Sequence, residues 1–75
     1  MALHEDLADI LAKDTIEAAE NLADERLIEE IAKQLGASST TMEEAFMTSI
    51  RVRLAEKRAR LYLQNKIKSG GSPPA

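Results

Sequence analysis

Several residue types that stabilise small proteins are missing or scarce in this 75-residue chain. It has no cysteine and therefore no disulfide bonds, and its single histidine leaves it without the ligands of the usual zinc sites. It has no tryptophan, one tyrosine and one phenylalanine, which are too few to form a stacking platform for single-stranded nucleic acid. A chain this short buries little surface, so its core is marginal unless a partner adds to it.

Long apolar runs and strand patterns are also absent from the sequence. No stretch approaches the roughly 18 apolar residues of a membrane span, and the N-terminus turns acidic at Glu5 without the basic-then-apolar order of a signal peptide. Alternation with a period of two residues, which would predict strands, never persists. We therefore expect an all-α protein with no membrane contact, located in the reducing environment of the cytoplasm.

The net charge of −3 is divided unevenly along the chain. Residues 1–35 hold ten acidic side chains against three basic ones, a net charge of −7, whereas residues 36–75 hold seven basic side chains against three acidic ones, a net charge of +4. Such asymmetry can indicate a surface that binds nucleic acid or membrane. We favour the other interpretation, in which acidic and basic helices of one domain lie against each other.

Residues 41–68 are predicted to form one long helix. Thr41 and Glu44 have the spacing of a capping box, in which each side chain accepts a hydrogen bond from a free backbone N–H at the start of a helix. The segment contains neither glycine nor proline, and the glycines and prolines of residues 69–75 end it. We predict a single helical domain over residues 1–68 followed by a disordered C-terminal tail.

Two apolar stripes run along this predicted helix, although a single domain usually buries only one. The first has the i, i+4 and i+7 spacing of a core-facing stripe and consists of Phe46, Met47, Ile50, Leu54 and Leu61. The second, which we call the outer stripe of the long helix, is the candidate partner-binding surface and consists of Val52, Ala55, Ala59, Tyr62 and Leu63. Its two alanines lie four residues apart, a spacing that would let another helix approach closely.

The N-terminal part is predicted to form two more helices. In residues 3–13 the apolar side chains recur at the spacing of an amphipathic helix, and they are Leu3, Leu7, Ile10 and Leu11. Asp14 and Glu17 form an acidic capping signal, which favours a new helix over residues 15–35. Since neither glycine nor proline separates the two, they could also run on as one bent helix. Asp24 could act as an internal cap that divides the second segment.

Gly36 and the polar residues 37–40 are predicted to end the second helix and to form the turn before the long one. Around this turn, residues 31–45 resemble a helix-turn-helix, a motif that binds DNA. The resemblance consists of Ala32 where the helices would cross, Gly36 in the turn, and the apolar Met42 and Ala45 on the second helix. Glu43 and Glu44, however, stand at the start of the helix that would read DNA, where they would repel phosphate.

Nothing in the sequence has the composition of a catalytic or metal site. Catalysis requires convergent groups such as a nucleophile with a base, and the only imidazole, His4, stands near a terminus that is prone to fraying. The neighbouring acids at positions 29–30 and 43–44 point in diverging directions on a helix, which does not suit a metal cage. We therefore predict no enzymatic activity, no cofactor, no metal and no small-molecule substrate.

The sequence as a whole predicts an all-α protein with three helices. Residues 15–35 and 41–68 would form an antiparallel αα-hairpin, with the N-terminal helix packed across it and dimerisation completing a bundle. We predict a small interaction or regulatory module that works through helix–helix contacts, either with a copy of itself or with another protein. The alternative is a nucleic-acid-binding regulator that uses the basic helix, with the candidate residues Arg51, Arg53, Lys57, Arg58 and Arg60.

Overall fold

The structure, a computed structural model, describes residues 2–70 and contains three helices over that range. They are α1 (Leu3–Leu22), α2 (Leu27–Ser38) and α3 (Thr40–Lys68). No strand occurs in the described residues, which confirms the predicted all-α class and the number of helices. No described helix combines the length and the apolar character needed to cross a membrane. Most of the predicted tail lies outside the described residues.

The core is small and takes side chains from all three helices. Phe46 is the only large side chain in the described part of the chain that is fully buried. The other buried apolar residues are Ala8, Ala12 and Ile16 on α1, Ala32 on α2, and Ile50 on α3. Partly buried apolar side chains pack around them, and they are Leu11, Ile28, Ile31, Leu35, Met42, Ala45, Met47 and Leu54.

The buried face of α1 is not the one that the sequence predicts. The leucine and isoleucine stripe was the predicted buried face. Leu3, Leu7 and Ile10 of this stripe are exposed, however, and only Leu11 packs against the core. The buried face instead carries small residues, Ala8, Ala12 and Thr15, together with Ile16. The larger Phe46 and Ile50 of α3 belong to the same core cluster, and small residues on the facing side of α1 leave room for them.

The helix boundary predicted at Asp14 is wrong, because α1 continues through this point to Leu22. Thr15, the predicted first residue of a new helix, is buried, and its hydroxyl donates a hydrogen bond to the Leu11 carbonyl at 2.7 Å. A threonine hydroxyl bonded to the carbonyl four residues earlier is satisfied within a continuous helix. The alternative of one uninterrupted segment is therefore the correct interpretation of residues 3–22.

The predicted helix over residues 15–35 is instead interrupted at residues 23–26. Ala23 ends α1 in the left-handed conformation, with φ 51° and ψ 42°. The Asp24 N–H donates to the Ala19 carbonyl at 2.9 Å and the Ala23 N–H to the Glu20 carbonyl at 3.2 Å, which is the pattern of a Schellman motif. Asp24 Oδ1 then accepts from the Arg26 N–H at 3.0 Å, so its side chain contributes to this turn.

Helices α2 and α3 are connected by a single residue, Ser39, and not by the predicted turn over residues 37–40. Ser39 has an extended backbone, its N–H donates to the Leu35 carbonyl at 2.7 Å, and its hydroxyl accepts from the Met42 N–H at 3.1 Å. One serine thus ends α2 and caps α3. The predicted cap at Thr41 is wrong because Thr41 already lies inside the helix.

Gly36 lies within α2 and does not end it. A Cβ atom at this position would stand 2.6 Å from Glu43 Oε1 on the first turns of α3. The absence of a side chain at Gly36 therefore lets the Glu43 carboxylate approach α2 across the short connection.

Helix α3 extends well beyond the other two helices. Its 29 residues correspond to about 43 Å of helix, and the molecule is 50 Å along its longest axis. Every residue in 55–68 is exposed except Lys66, which is half-buried. Leu61 was predicted to lie in the core but is 52% exposed. It belongs to the projecting segment, where α1 and α2 no longer cover the core-facing side of α3.

Candidate interaction surface

The outer stripe of α3 lies on the face opposite the core. At 100° per residue, Val52, Ala59 and Leu63 fall roughly half a turn away from Ile50 and Leu54, which face α1 and α2. In the single chain Val52 is 63% exposed, Tyr62 65% and Leu63 54%, and both stripe alanines are exposed as well. The five residues predicted as a partner-binding surface therefore form one continuous, solvent-accessible apolar strip.

The shape of this strip suits the approach of another helix. Ala55 and Ala59 are the smallest members of the stripe and stand one turn apart, with larger side chains before and after them. A helix that crosses at the two alanines would come close to the α3 backbone and contact Val52 on one side and Leu63 on the other. Ile67 is also exposed and lies at the edge of this face, one turn after Leu63.

Three of the five basic residues proposed as nucleic-acid contacts are already bound to carboxylates. The ion pairs are Arg53 with Asp9, Lys57 with Glu20, and Arg60 with Glu56. The first two join α3 to the acidic α1, which agrees with the interpretation that oppositely charged helices of one domain lie together. Arg51 and Arg58 are the two candidates without an ion pair among the described residues. Further along α3, Lys66 places its ammonium 5.6 Å from the centre of the Tyr62 ring.

The Arg53–Asp9 pair has the best geometry of the three. Arg53 Nε donates to Asp9 Oδ1 and Nη2 donates to Oδ2, both at 2.8 Å, so the guanidinium is bound in a two-pronged arrangement. The hydrogen bonds from Arg53 lower the pKa of the Asp9 carboxyl below its ordinary value, against a smaller opposing effect of burial. The same hydrogen bonds raise the pKa of Arg53.

A lowered pKa of Asp9 in the folded protein predicts a loss of stability in acid. The folded protein holds Asp9 ionised more strongly than the unfolded chain does, so its contribution is present above the unfolded value of about 4 and disappears as pH falls below it. We expect Asp9→Asn to flatten the decrease of the thermal midpoint between about pH 5 and pH 3. Glu29→Gln, at an exposed carboxylate outside the ion pairs of the described residues, serves as the control and should keep the wild-type slope. Equal slopes for the two variants would contradict this role of Asp9.

A second exposed apolar strip, on α1, was missed as a surface because the sequence pattern assigned it to the core. Leu3 is 71% exposed, Ile10 58% and Leu7 49%, and we call these three residues the outer stripe of α1. Acidic side chains flank it: Asp6 lies three residues after Leu3, and Asp14 lies four residues after Ile10. The sequence feature that could have revealed this strip is the pair Ala8 and Ala12 on the opposite side of α1. Small residues one turn apart indicate a face that packs closely against another helix, which leaves the leucine and isoleucine side exposed.

The segment 31–45, which resembles a helix-turn-helix, differs from that motif at its turn. The motif joins its helices by three or four residues, whereas here Ser39 alone separates α2 from α3. Glu43 at the start of α3 lies against Gly36 of α2, and Glu44 is exposed. The first turn of α3 therefore presents a carboxylate to any approaching phosphate.

Within residues 2–70, no group of three or more histidine, aspartate or glutamate side chains is arranged to hold a metal ion. Comparison of the chain with protein-family models, with curated proteins and with solved structures finds no match.

Proposed function

We propose that this protein is a small helical interaction module without catalysis of its own, and that it works as a homodimer through the outer stripe of α3. The observation that supports this most strongly is the exposure of that stripe on a helix whose last three turns, after Lys57, project from the bundle. Exposed apolar side chains in one continuous strip are typical of surfaces that bind another protein.

The size of the core gives a second reason to propose a partner. Within the described residues only Phe46 is both large and fully buried, and three of the six buried apolar residues are alanines. A core of this kind contributes little to the free energy of unfolding of so short a chain, since that energy depends on the apolar area removed from water. A second copy would bury additional apolar area on both chains.

The proposal includes three finer features. The first is that α2 and α3, connected by Ser39 alone, pair in an antiparallel manner. The second is that a second copy completes the three helices to a larger bundle. The third is a cytoplasmic location, which is supported by the lack of cysteine.

Light scattering after size-exclusion chromatography tests the proposal, because it measures molar mass at two protein concentrations. We expect twice the chain mass of 8.2 kDa at the higher concentration and a decrease toward 8.2 kDa on dilution. A mass of 8.2 kDa at every concentration would refute the homodimer.

The alternative function, binding of nucleic acid by the basic helix, is favoured by the seven bases and one acid between residues 51 and 68. Three of those bases are held by carboxylates of the same chain, and binding of a phosphate backbone would have to displace them. The homodimer therefore has the stronger support.

We predict weak binding of random duplexes and single strands at low salt and no binding at physiological salt in an electrophoretic shift assay. Three of the seven basic side chains in residues 51–68 are already paired with carboxylates, and affinity that depends on the release of counterions from the phosphates falls steeply as salt increases. Binding that survives physiological salt and disappears in the Arg51→Gln, Arg58→Gln double variant would establish the alternative in place of our proposal.

A further inference from the structure

The outer stripe of α3 and the outer stripe of α1 are the two apolar strips that the described chain leaves exposed along its helices. We propose that in the dimer each covers the other: Val52, Ala59 and Leu63 of one copy pack against Leu3, Leu7 and Ile10 of the second copy. This inference rests on the proposed function, and it identifies the surface that occupies the stripe.

Charge is the first argument for this occupant. Residues 51–68 carry seven bases and one acid, so two α3 helices laid along each other would bring like charges together. The outer stripe of α1 belongs to the half of the chain that carries ten acids against three bases. Arg58, next to Ala55 and Tyr62 on α3, has a natural counterion in an aspartate beside the α1 stripe, such as Asp14.

Side-chain size is the second argument. The middle of the α3 stripe consists of Ala55 and Ala59, whereas the α1 stripe consists of leucine and isoleucine. Facing helices pack densely where large side chains of one lie over small side chains of the other. Two α3 stripes facing each other would place alanine against alanine and leave the large apolar residues of α1 exposed.

Symmetry is the third argument. A contact between two different surfaces either propagates into an open chain or closes when a two-fold axis repeats it. In a two-fold dimer the α1–α3 contact occurs twice, so all four exposed stripes of the two copies are covered. A dimer that forms through α3 alone covers only two of the four stripes.

Cross-linking distinguishes these arrangements directly, because the natural chain contains no cysteine. Two single-cysteine variants, Leu7→Cys and Ala59→Cys, are prepared separately, mixed in equal amounts and treated with a short bismaleimide. We expect the mixed pair to cross-link several times more efficiently than either variant alone. Lys33→Cys, on an exposed position of α2, is mixed with Ala59→Cys in the same way and measures random collision.

A second measurement uses charge reversal and does not depend on cross-linking chemistry. Arg58→Asp alone should raise the dissociation constant of the dimer by roughly three- to tenfold, and adding Asp14→Arg should restore it. If two α3 helices paired with each other, Arg58→Asp would relieve repulsion and lower the dissociation constant.

The outcomes separate this inference from the proposed function. Dominant Ala59–Ala59 cross-links in the Ala59→Cys variant, together with tighter dimers of Arg58→Asp, would overturn the α1 assignment while the homodimer stands. A chain that stays monomeric at all concentrations would overturn both. Mixed cross-links with restored affinity in the double charge variant support the reciprocal contact.

Discussion

Replacing Phe46 with alanine is expected to lower the free energy of unfolding by about 3–5 kcal/mol, the largest loss that we predict for any single substitution. Phe46 is the only large side chain in the described residues that is fully buried, and alanines of α1 share its core cluster. Those neighbours are too small to fill the cavity that its removal would leave. Because small domains are only marginally stable, most of the protein should be unfolded at 25 °C.

Leu61→Ala is the matched control for this substitution, since Leu61 was predicted on the same stripe of the same helix but is 52% exposed. We expect its effect to stay below about 1 kcal/mol. Urea unfolding followed by circular dichroism, with both variants at one fixed protein concentration, gives the comparison. Equal losses for the two variants would contradict the position of the core along α3.

Ala59→Asp is expected to separate the dimer into folded monomers. A carboxylate placed in the centre of an apolar helix contact would be buried without a partner, which costs several kcal/mol. We therefore expect the dissociation constant to rise by about 100-fold or more. The helical signal should persist, because Ala59 is exposed in the single chain and its replacement removes no contact within the fold.

Gln64→Asp is the control for this variant. It introduces the same side chain into the same projecting half of α3, at an exposed position away from the outer stripe. Its molar mass should follow that of the natural sequence. If Ala59→Asp kept both the mass and the stability of the natural protein, the outer stripe would not be the dimer contact. If Ala59→Asp unfolded the chain at every concentration, the structure of α3 itself would be in question.

The long helix was predictable because its signals are local. Its lack of glycine and proline and the breakers after Lys68 fix its extent to within one residue of the structure at each end. The capping residue was assigned incorrectly, since Ser39, Thr40 and Thr41 are all good caps by type, and only the structure shows which hydroxyl meets a free N–H.

The first two helices were harder to predict because the decisive features are not local. Ala23 takes the left-handed conformation that glycine or asparagine usually supplies, so its residue type gave no sign of a helix end, and Asp24 was the only sequence signal for a break at this point. Asp14 and Glu17, in contrast, form a convincing start signal in the middle of a helix. Thr15 stays within that helix because its side chain is buried and its hydroxyl donates to the Leu11 carbonyl, and neither feature can be distinguished from a helix start by residue type alone.

The buried face of α1 shows why the most apolar stripe of a helix is not always the one in the core. Pattern analysis weights Leu3, Leu7 and Ile10 above alanine, whereas packing depends on the volume left by Phe46 of another helix. The stripe assigned to the core thereby became a candidate interaction surface. The outer stripe of α3 was found from the sequence because two apolar stripes on one helix are more than a single small domain can bury.

Hydrogen–deuterium exchange at two protein concentrations, one above and one below the dissociation constant of the dimer, tests most directly whether a second copy covers the projecting end of α3. Residues 55–68 make about four turns of helix, and an isolated helix of that length is marginal in water. We predict that protection of these amides rises by roughly tenfold or more at the higher concentration, relative to the amides around Phe46. Equal protection at both concentrations, in a sample whose molar mass doubles, would contradict the account.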